Sequence, residues 1–235
     1  IADINNTVNF NGTLDEFNYL LSFNMLKSGE LSAAESNDES IKFKEDPFYR
    51  FNTLLKLGYT VLEKLDIDFF SSYDEFSSSY DGFDFMSNSY VDADNKLKSI
   101  QKRIGITPSF TYSKGILKLN AFYTIIDRNV IPTADIYKGK ALVFDLYNTY
   151  NFHKYISLLA GLSAQYNDMY QKTAYSSIEE GSAKQHFYDP YVSANFNYNN
   201  MALTIGSRLN IHNEYGSHLV YNINPSYHIN TFKNT

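Results

Sequence analysis

An all-β protein, built as an antiparallel up-and-down meander of about eleven strands, is what this sequence predicts. Three observations carry that reading. Apolar and polar residues alternate with a period of two along most of the chain, which gives strands one apolar and one polar face. No stretch approaches the ~18 consecutive apolar residues of a membrane helix; ISLLAGL, from Ile156, is the best run and contains Ser and Gly. Short and long connections alternate along the chain, and in a meander alternate connections lie at opposite ends of the sheet.

The first run, 5 to 12, closes on Asn11-Gly12, a strong two-residue turn signal. The second, 16 to 27, sets Phe17, Tyr19, Leu21, Phe23 and Met25 against Asn18, Ser22 and Asn24. The third, 48 to 61, sets Phe51, Leu55, Leu57, Tyr59 and Val61 against Asn52, Lys56 and Thr60. In the fourth, 64 to 74, Leu65, Ile67 and Phe69 oppose Asp66 and Asp68, and a tight turn near Leu62-Glu63 joins it to the third. The fifth, 98 to 112, turns at Ser113-Lys114 into the sixth, 115 to 126, where Leu117, Leu119, Ala121 and Tyr123 oppose Lys118 and Asn120. The seventh and eighth, 139 to 151 and 154 to 167, meet at His153. The ninth, 187 to 197, turns at Tyr198-Asn199 into the tenth, 200 to 211, with Met201, Leu203, Ile205, Leu209 and Ile211 against Thr204, Arg208 and Asn210. An eleventh spans 217 to 230.

Between the hairpins lie long polar loops at 28 to 47, 75 to 97, 127 to 138 and 168 to 186. One rim thus has tight turns and the other long loops, the asymmetry of outer-membrane barrels. Globular strands usually have about 5 or 6 residues, so runs of twelve or more imply a demand for length. The polar face mixes Asn, Ser, Thr and Gly with occasional charges, which suits a polar lumen. Phe48, Tyr49, Tyr73, Phe76, Tyr147, Tyr150, Phe152, Tyr155, Tyr166, Tyr170, Phe187 and Tyr188 gather near strand ends, as interfacial girdles do. An odd number of antiparallel strands cannot close without one parallel seam. Residues 1–235 are therefore expected to be one partial barrel domain, an open fragment of a larger barrel. The opening IADINNTVNF has neither the basic nor the apolar region of a signal peptide.

Composition removes several function classes. The chain has 20 Lys and Arg against 26 Asp and Glu, a net charge of −6, and no basic stripe, so no nucleic-acid partner is expected. It has no Cys, which excludes disulfides, thiolate metal sites and cysteine nucleophiles. The GxSxG, GxGxxG and GxxxxGK[ST] motifs are missing and no nucleophile stands at a defensible spacing from a base, so the reading is not an enzyme.

The segment GSRLNIHNEYGSHLVYNINPSY, 206 to 227, resembles the mid-barrel segment of TonB-dependent outer-membrane receptors. There an inward Arg and Asn precede a short acidic, Gly-containing turn, positions held here by Arg208, Asn210, Glu214, Tyr215 and Gly216. DPFYRFNTLLKLGY, the YDEFSSSYDGF loop and the order of connections look like the first half of the cobalamin-receptor barrel. The resemblance implies about half of a 22-stranded barrel in the outer membrane of a Gram-negative bacterium, in contact with its lipid. It further implies active uptake of a scarce nutrient, a cobalamin-type corrinoid or an iron chelate. Energy would come from the TonB complex through a plug and TonB box that this sequence does not contain. Cobalamin receptors hold calcium between the corresponding loops. The resemblance matches Asp46 in EDPF and Asp81 in SYDGF to that pattern, beside the D-x-D pair Asp92 and Asp94. Those two loops also carry Glu30, Glu35, Asp38, Glu39 and Glu45, and Asp74, Glu75 and Asp84, for which solvated surface charge is the plainer reading. His212 and His218 flank a turn with Glu214 but lack a metal-binding spacing, and His153 and His228 read as rim and lumen residues. A soluble all-β module recognising glycan or protein through long loops is the alternative, and a passive channel a third.

Overall fold

The computed structural model describes residues 3–29, 32, 34 and 42–229. Its strands are β1 (Ile4–Leu14), β2 (Phe17–Ser28), β3 (Phe48–Leu62), β4 (Leu65–Asp84), β5 (Ser89–Tyr112), β6 (Gly115–Ile131), β7 (Asp135–His153), β8 (Ile156–Lys172), β9 (Ser177–Tyr198), β10 (Met201–His212) and β11 (Gly216–Tyr227). They form one 11-stranded sheet whose spatial order is the sequence order, every pair antiparallel. No hydrophobic side chain is buried among the described residues, so there is no second sheet and no dry core between layers.

The pairing register puts the predicted apolar residues on one face. Phe69 stands opposite Leu57 and Ile106, Leu119 opposite Leu146, and Leu146 opposite Leu162. Phe69, Leu117, Leu146, Leu162 and Ile205 are all exposed there. The other face carries the polar set, tied by hydrogen bonds between neighbouring strands. Asn24 Nδ2 donates to Asn5 Oδ1 at 2.9 Å, Thr60 Oγ1 to Asp66 Oδ1 at 2.7 Å, and Thr204 Oγ1 to Asn195 Oδ1 at 2.7 Å. Hollows of about 520 and 480 Å³ open on this face, the larger lined by residues of β6 to β11, which makes it the concave side. The Phe70 and Phe122 rings lie 5.3 Å apart across β5, and Tyr191 reaches across β8 to Asp145. Asp66, Asp68, Lys118, Asn120 and Arg208 share that side by register, as the alternation predicts.

One rim is even, with two-residue turns at Asp15-Glu16, Glu63-Lys64, Ser113-Lys114, Lys154-Tyr155 and Asn199-Asn200. The first of these corrects the Asn11-Gly12 expectation. Both residues lie inside β1, because Val8, Phe10 and Leu14 continue the outward alternation past the glycine. A Cβ on Gly12 would stand 2.8 Å from the Tyr19 hydroxyl, so the glycine is a seat for the ring paired with it. The turn instead uses Asp15 at φ 49°, a conformation Asp tolerates. The Ser113-Lys114 turn falls where predicted, and the remaining three sit about one residue later, at Lys154-Tyr155 for example rather than His153. His228, beyond β11, donates its backbone N–H to Asn200 O beside this rim, so it is not a lumen residue.

The opposite rim is uneven, and here the expected loops are mostly strand. Residues 75 to 97, 127 to 138 and 168 to 186 are hairpins that continue β4–β5, β6–β7 and β8–β9, leaving only 85–88, 132–134 and 173–176 outside strands. Near this rim polar residues occupy both faces of the strands, so polarity there no longer marks a loop. The 24 residues of β5 extend about 80 Å, whereas about 11 suffice to cross a bilayer. The segment between β2 and β3 has no strand among its described residues.

Outward aromatics form two belts. At the even rim Tyr112 and Tyr150 stack at 6.3 Å, Tyr150 and Phe152 meet at 4.7 Å, and Tyr155 and Tyr198 at 5.1 Å. Higher up, Tyr166 and Tyr188 hydrogen-bond through their hydroxyls at 2.8 Å. Eleven residues separate Tyr155 from Tyr166. At ~3.3 Å per residue and a tilt of ~45° that is about 26 Å, against a lipid-facing band of about 25 Å.

Candidate functional site

The concave face holds two adjoining hollows that share Phe122 and Val143 in their linings. The larger, about 520 Å³, is lined by Asn120, Phe122, Asp145, Tyr191, Arg208 and Asn222 among others, so β6 to β11 all contribute. Its floor is a hydrogen-bonded network. Arg208 Nη2 donates to Asp189 Oδ2 at 2.6 Å and Nε to the same oxygen at 3.2 Å, while the backbone N–H of Ile211 reaches Asp189 Oδ1 at 3.3 Å. Asp189 is thereby buried and satisfied, and Arg208 is fixed with its guanidinium carbon 5.9 Å from the Tyr191 ring centroid. Tyr191 in turn donates its hydroxyl to Asp145 Oδ1 at 2.8 Å. It can span two strands because Gly161 lies beneath it; a Cβ there would stand 2.5 Å from the ring.

The second hollow, about 480 Å³, is lined by Leu54, Lys56, Phe70, Ser72, Arg103, Phe122, Thr124 and Val143. Gly105 plays the part of Gly161, since a Cβ on it would lie 2.4 Å from both Phe70 and Phe122. Arg103 Nε donates to Thr124 Oγ1 at 3.3 Å. Among the described residues neither Arg103 nor Lys56 has a carboxylate within ion-pair distance, in contrast to Arg50, which pairs with Asp74 at 2.8 Å nearer the uneven rim. Two cations with no carboxylate partner among the described residues, beside a pair of half-buried rings, can hold a small molecule that is both anionic and flat.

Arg208 was legible in the sequence as an inward residue; its partners Asp189, Asp145 and Tyr191 were not, nor were Phe70, Phe122 and Arg103. The available signal was glycine inside a strand, which marks close approach of a neighbouring group.

The four aspartates singled out for calcium are only partly brought together. Asp81 Oδ2 accepts Ser32 Oγ at 3.0 Å and the Ala34 N–H at 3.1 Å, so the segment after β2 does dock on the β4–β5 hairpin. Asp92 lies 3.7 Å from Lys44 Nζ, Asp94 is in β5, and Asp46 precedes β3. Among the described residues no three His, Asp or Glu side chains converge as a metal site. A calcium cage needs six to eight oxygens; Glu30, Glu35, Asp38 and Glu39 lie outside the described residues. His212 caps its turn, Nδ1 accepting the N–H groups of Glu214 and Tyr215 at 3.0 and 3.2 Å. Asp84 does the same for the 85–88 turn, and the Ser87 hydroxyl and Met86 N–H hold its carboxyl below the usual range.

Compared by sequence, no family model matches the chain and no curated relative is found. Solved structures are similar in fold. The ferric enterobactin receptor of Pseudomonas aeruginosa superposes with a TM-score of 0.75 at 12% identity over 95% of this chain and 38% of its own. The fold is that of part of an outer-membrane receptor barrel. The siderophore receptor PirA of Acinetobacter baumannii gives 0.73 at 15% identity over 97% of this chain and 39% of its own. The outer-membrane transporter YddB of Escherichia coli gives 0.67 at 13% over 94% and 35%. The chain thus spans 35 to 39% of the length of these three chains.

Proposed function

We propose that this chain is wall of an outer-membrane, TonB-dependent receptor of a Gram-negative bacterium, binding a scarce nutrient in its lumen for active uptake. The nutrient is an iron chelate or a corrinoid, and it is not chemically transformed. The observation that carries the reading is the concave polar face, where Lys56 and Arg103 flank the Phe70–Phe122 pair beside the ordered Arg208–Asp189–Tyr191 floor. Those groups favour an anionic, planar-ringed ligand, hence an iron chelate ahead of a corrinoid. The likeness to receptor barrels supports the location and the transport class. Coupling to the TonB complex belongs to the same proposal and runs through parts of the protein beyond this barrel wall. Calcium between the loops of Asp46, Asp81, Asp92 and Asp94 is a subsidiary proposal.

The test uses the intact gene product. Ferric chelates and corrinoids are titrated against purified protein, and uptake is followed in cells with and without the gene. Binding of an anionic ferric chelate is expected, weakened at least tenfold by Lys56→Gln with Arg103→Gln. A gene deletion that leaves uptake of both nutrient classes unchanged would refute the assignment.

A further inference from the structure

The larger hollow differs in chemistry from the one beside it. Its inward polar groups follow the register in three rows. Asn120, Asp145 and Ser163 stand side by side on β6, β7 and β8. One same-face step nearer the even rim lie Tyr191 and Arg208, with Lys118 in the same row. A further step brings Ser193 and Asn222, on either side of Gly206.

Several of these groups have hydrogen-bonding capacity left over. Asp145 Oδ1 is taken by the Tyr191 hydroxyl and Asn120 Oδ1 by Thr107 Oγ1 at 3.4 Å, while Asp145 Oδ2 and Asn120 Nδ2 have no partner. Nor do the side chains of Ser163, Ser193 and Asn222, among the described residues. Asn222 is nonetheless seated: a Cβ on Gly206 would stand 2.3 Å from its Oδ1 and 3.6 Å from Ser193 Cβ. The missing side chain lets Asn222 lean across β10 towards Ser193, as Gly161 lets Tyr191 reach Asp145.

Charge is balanced here, unlike at Lys56 and Arg103. Arg208 is held by Asp189, and Asp145 has Lys118 diagonally across on β6, a lysine with no ion pair of its own among the described residues. An anion would meet Asp145 and gain nothing. An apolar group would strip water from five polar side chains without replacing its hydrogen bonds. A hydroxyl donates and accepts through one atom, so it can serve the free carboxylate oxygen, the carboxamides and the serines alike. The volume, about 520 Å³, lies within the range of small-molecule sites. Phe122 and Val143 border both hollows, so one ligand can occupy the two together.

We propose that the larger hollow is a subsite for a neutral, hydroxyl-rich glycosyl unit of the transported ligand, whose anionic planar part sits over Phe70 and Phe122. The subsite rests on the receptor reading and deepens it, making the nutrient a glycosylated chelate.

The test uses the intact gene product and two probes of equal charge, a ferric tricatecholate chelate and the same chelate carrying glucose. Each is titrated by calorimetry, and the readout is the ratio of the two affinities on one protein. A net hydrogen bond is about fivefold in affinity. Two or more such bonds to the sugar should make the glucosylated probe bind about 25-fold more tightly or better. Ser163→Ala with Ser193→Ala is expected to cut that ratio by roughly 25-fold. Lys56→Gln with Arg103→Gln should weaken both probes and leave the ratio in place. Equal affinity of the two probes for wild type, or a ratio that survives in the serine variant, overturns the subsite and leaves the receptor reading intact. Tighter binding of a chelate carrying an amine than of the glucosylated one overturns the neutral class in favour of a cation at Asp145. Failure of both probes to bind overturns the subsite and the receptor reading together.

Discussion

Gly161→Ala is the sharpest test of the concave wall. The new Cβ would lie 2.5 Å from the Tyr191 ring and 2.8 Å from the backbone oxygen of Leu146. The carbonyl belongs to the β7–β8 ladder and cannot yield without breaking pairing, so the ring must leave. Displacing a packed side chain costs about 1–3 kcal/mol. The 2.8 Å hydrogen bond from Tyr191 to Asp145 goes with it, and bonds to charged groups contribute about 1.5–3 kcal/mol. The expected destabilisation is therefore roughly 2.5–6 kcal/mol, the upper part reached only if water fails to replace the tyrosine at Asp145. Gly139→Ala is the internal control. Nothing lies within 4 Å of its Cβ position, so it should be neutral or stabilise slightly as a strand interior loses a glycine. The assay is urea unfolding of the intact protein in lipid vesicles, followed by the loss of its compact band on unheated gels. Equal midpoints for the two variants would refute the claim that Gly161 is a seat for Tyr191.

Adjacent residues on opposite faces should diverge: Leu162→Arg is expected to cost about 2–4 kcal/mol of bilayer stability and Ser163→Arg much less, read from folding titrations in vesicles, and similar costs would mean the faces are misassigned. The Asp84 carboxyl has a lowered pKa in the folded turn, so its contribution is present above the unfolded value of about 3.9 and is lost as pH falls through the folded value. Amide exchange at 85–88, corrected for intrinsic rate, should rise in acid for wild type and show no such step in Asp84→Ala. Asp81→Ala should free the segment after β2 from the β4–β5 hairpin, because Ser32 and Ala34 both lose their acceptor, and proteolysis between 29 and 47 should accelerate with or without calcium. Acceleration confined to calcium-containing buffer would instead favour an ion bridging Asp46 and Asp81.

Face and strand order were readable in the sequence because both depend only on alternation. Ile67 and Asp68 report their sides whatever their neighbours are. What alternation could not reveal was where a strand ends above the membrane. In FSSSYDGF and in SIEEGSAK both faces meet water, the period-2 contrast vanishes, and a strand reads as a loop. Asn11-Gly12 misled for the opposite reason, a local turn preference overridden by the pairing of Gly12 with Tyr19. In the candidate site, Arg208 was visible as a charge on a polar face, but its tie to Asp189 depends on register between β9 and β10, which one strand's sequence does not encode.

The same degeneracy explains why the fold is shared with receptors so different in sequence. With no hydrophobic side chain buried among the described residues, the wall is held by its backbone ladders, and side chains need only be apolar outside and mostly polar inside. Leu, Ile, Val and Phe are interchangeable against lipid, and Asn, Ser and Thr against the lumen, so identity can drift while register persists. Residues such as Lys56, Phe70, Arg103 and Phe122 satisfy the wall as readily as many other choices would, Gly105 apart, whose missing Cβ their rings require. Their combination is therefore free to follow the ligand. A single-site change there should alter what the lumen binds while the unfolding midpoint stays put, whereas a change at Gly105 should move both. That difference in response, measured on one protein, separates the residues that build the wall from those that use it.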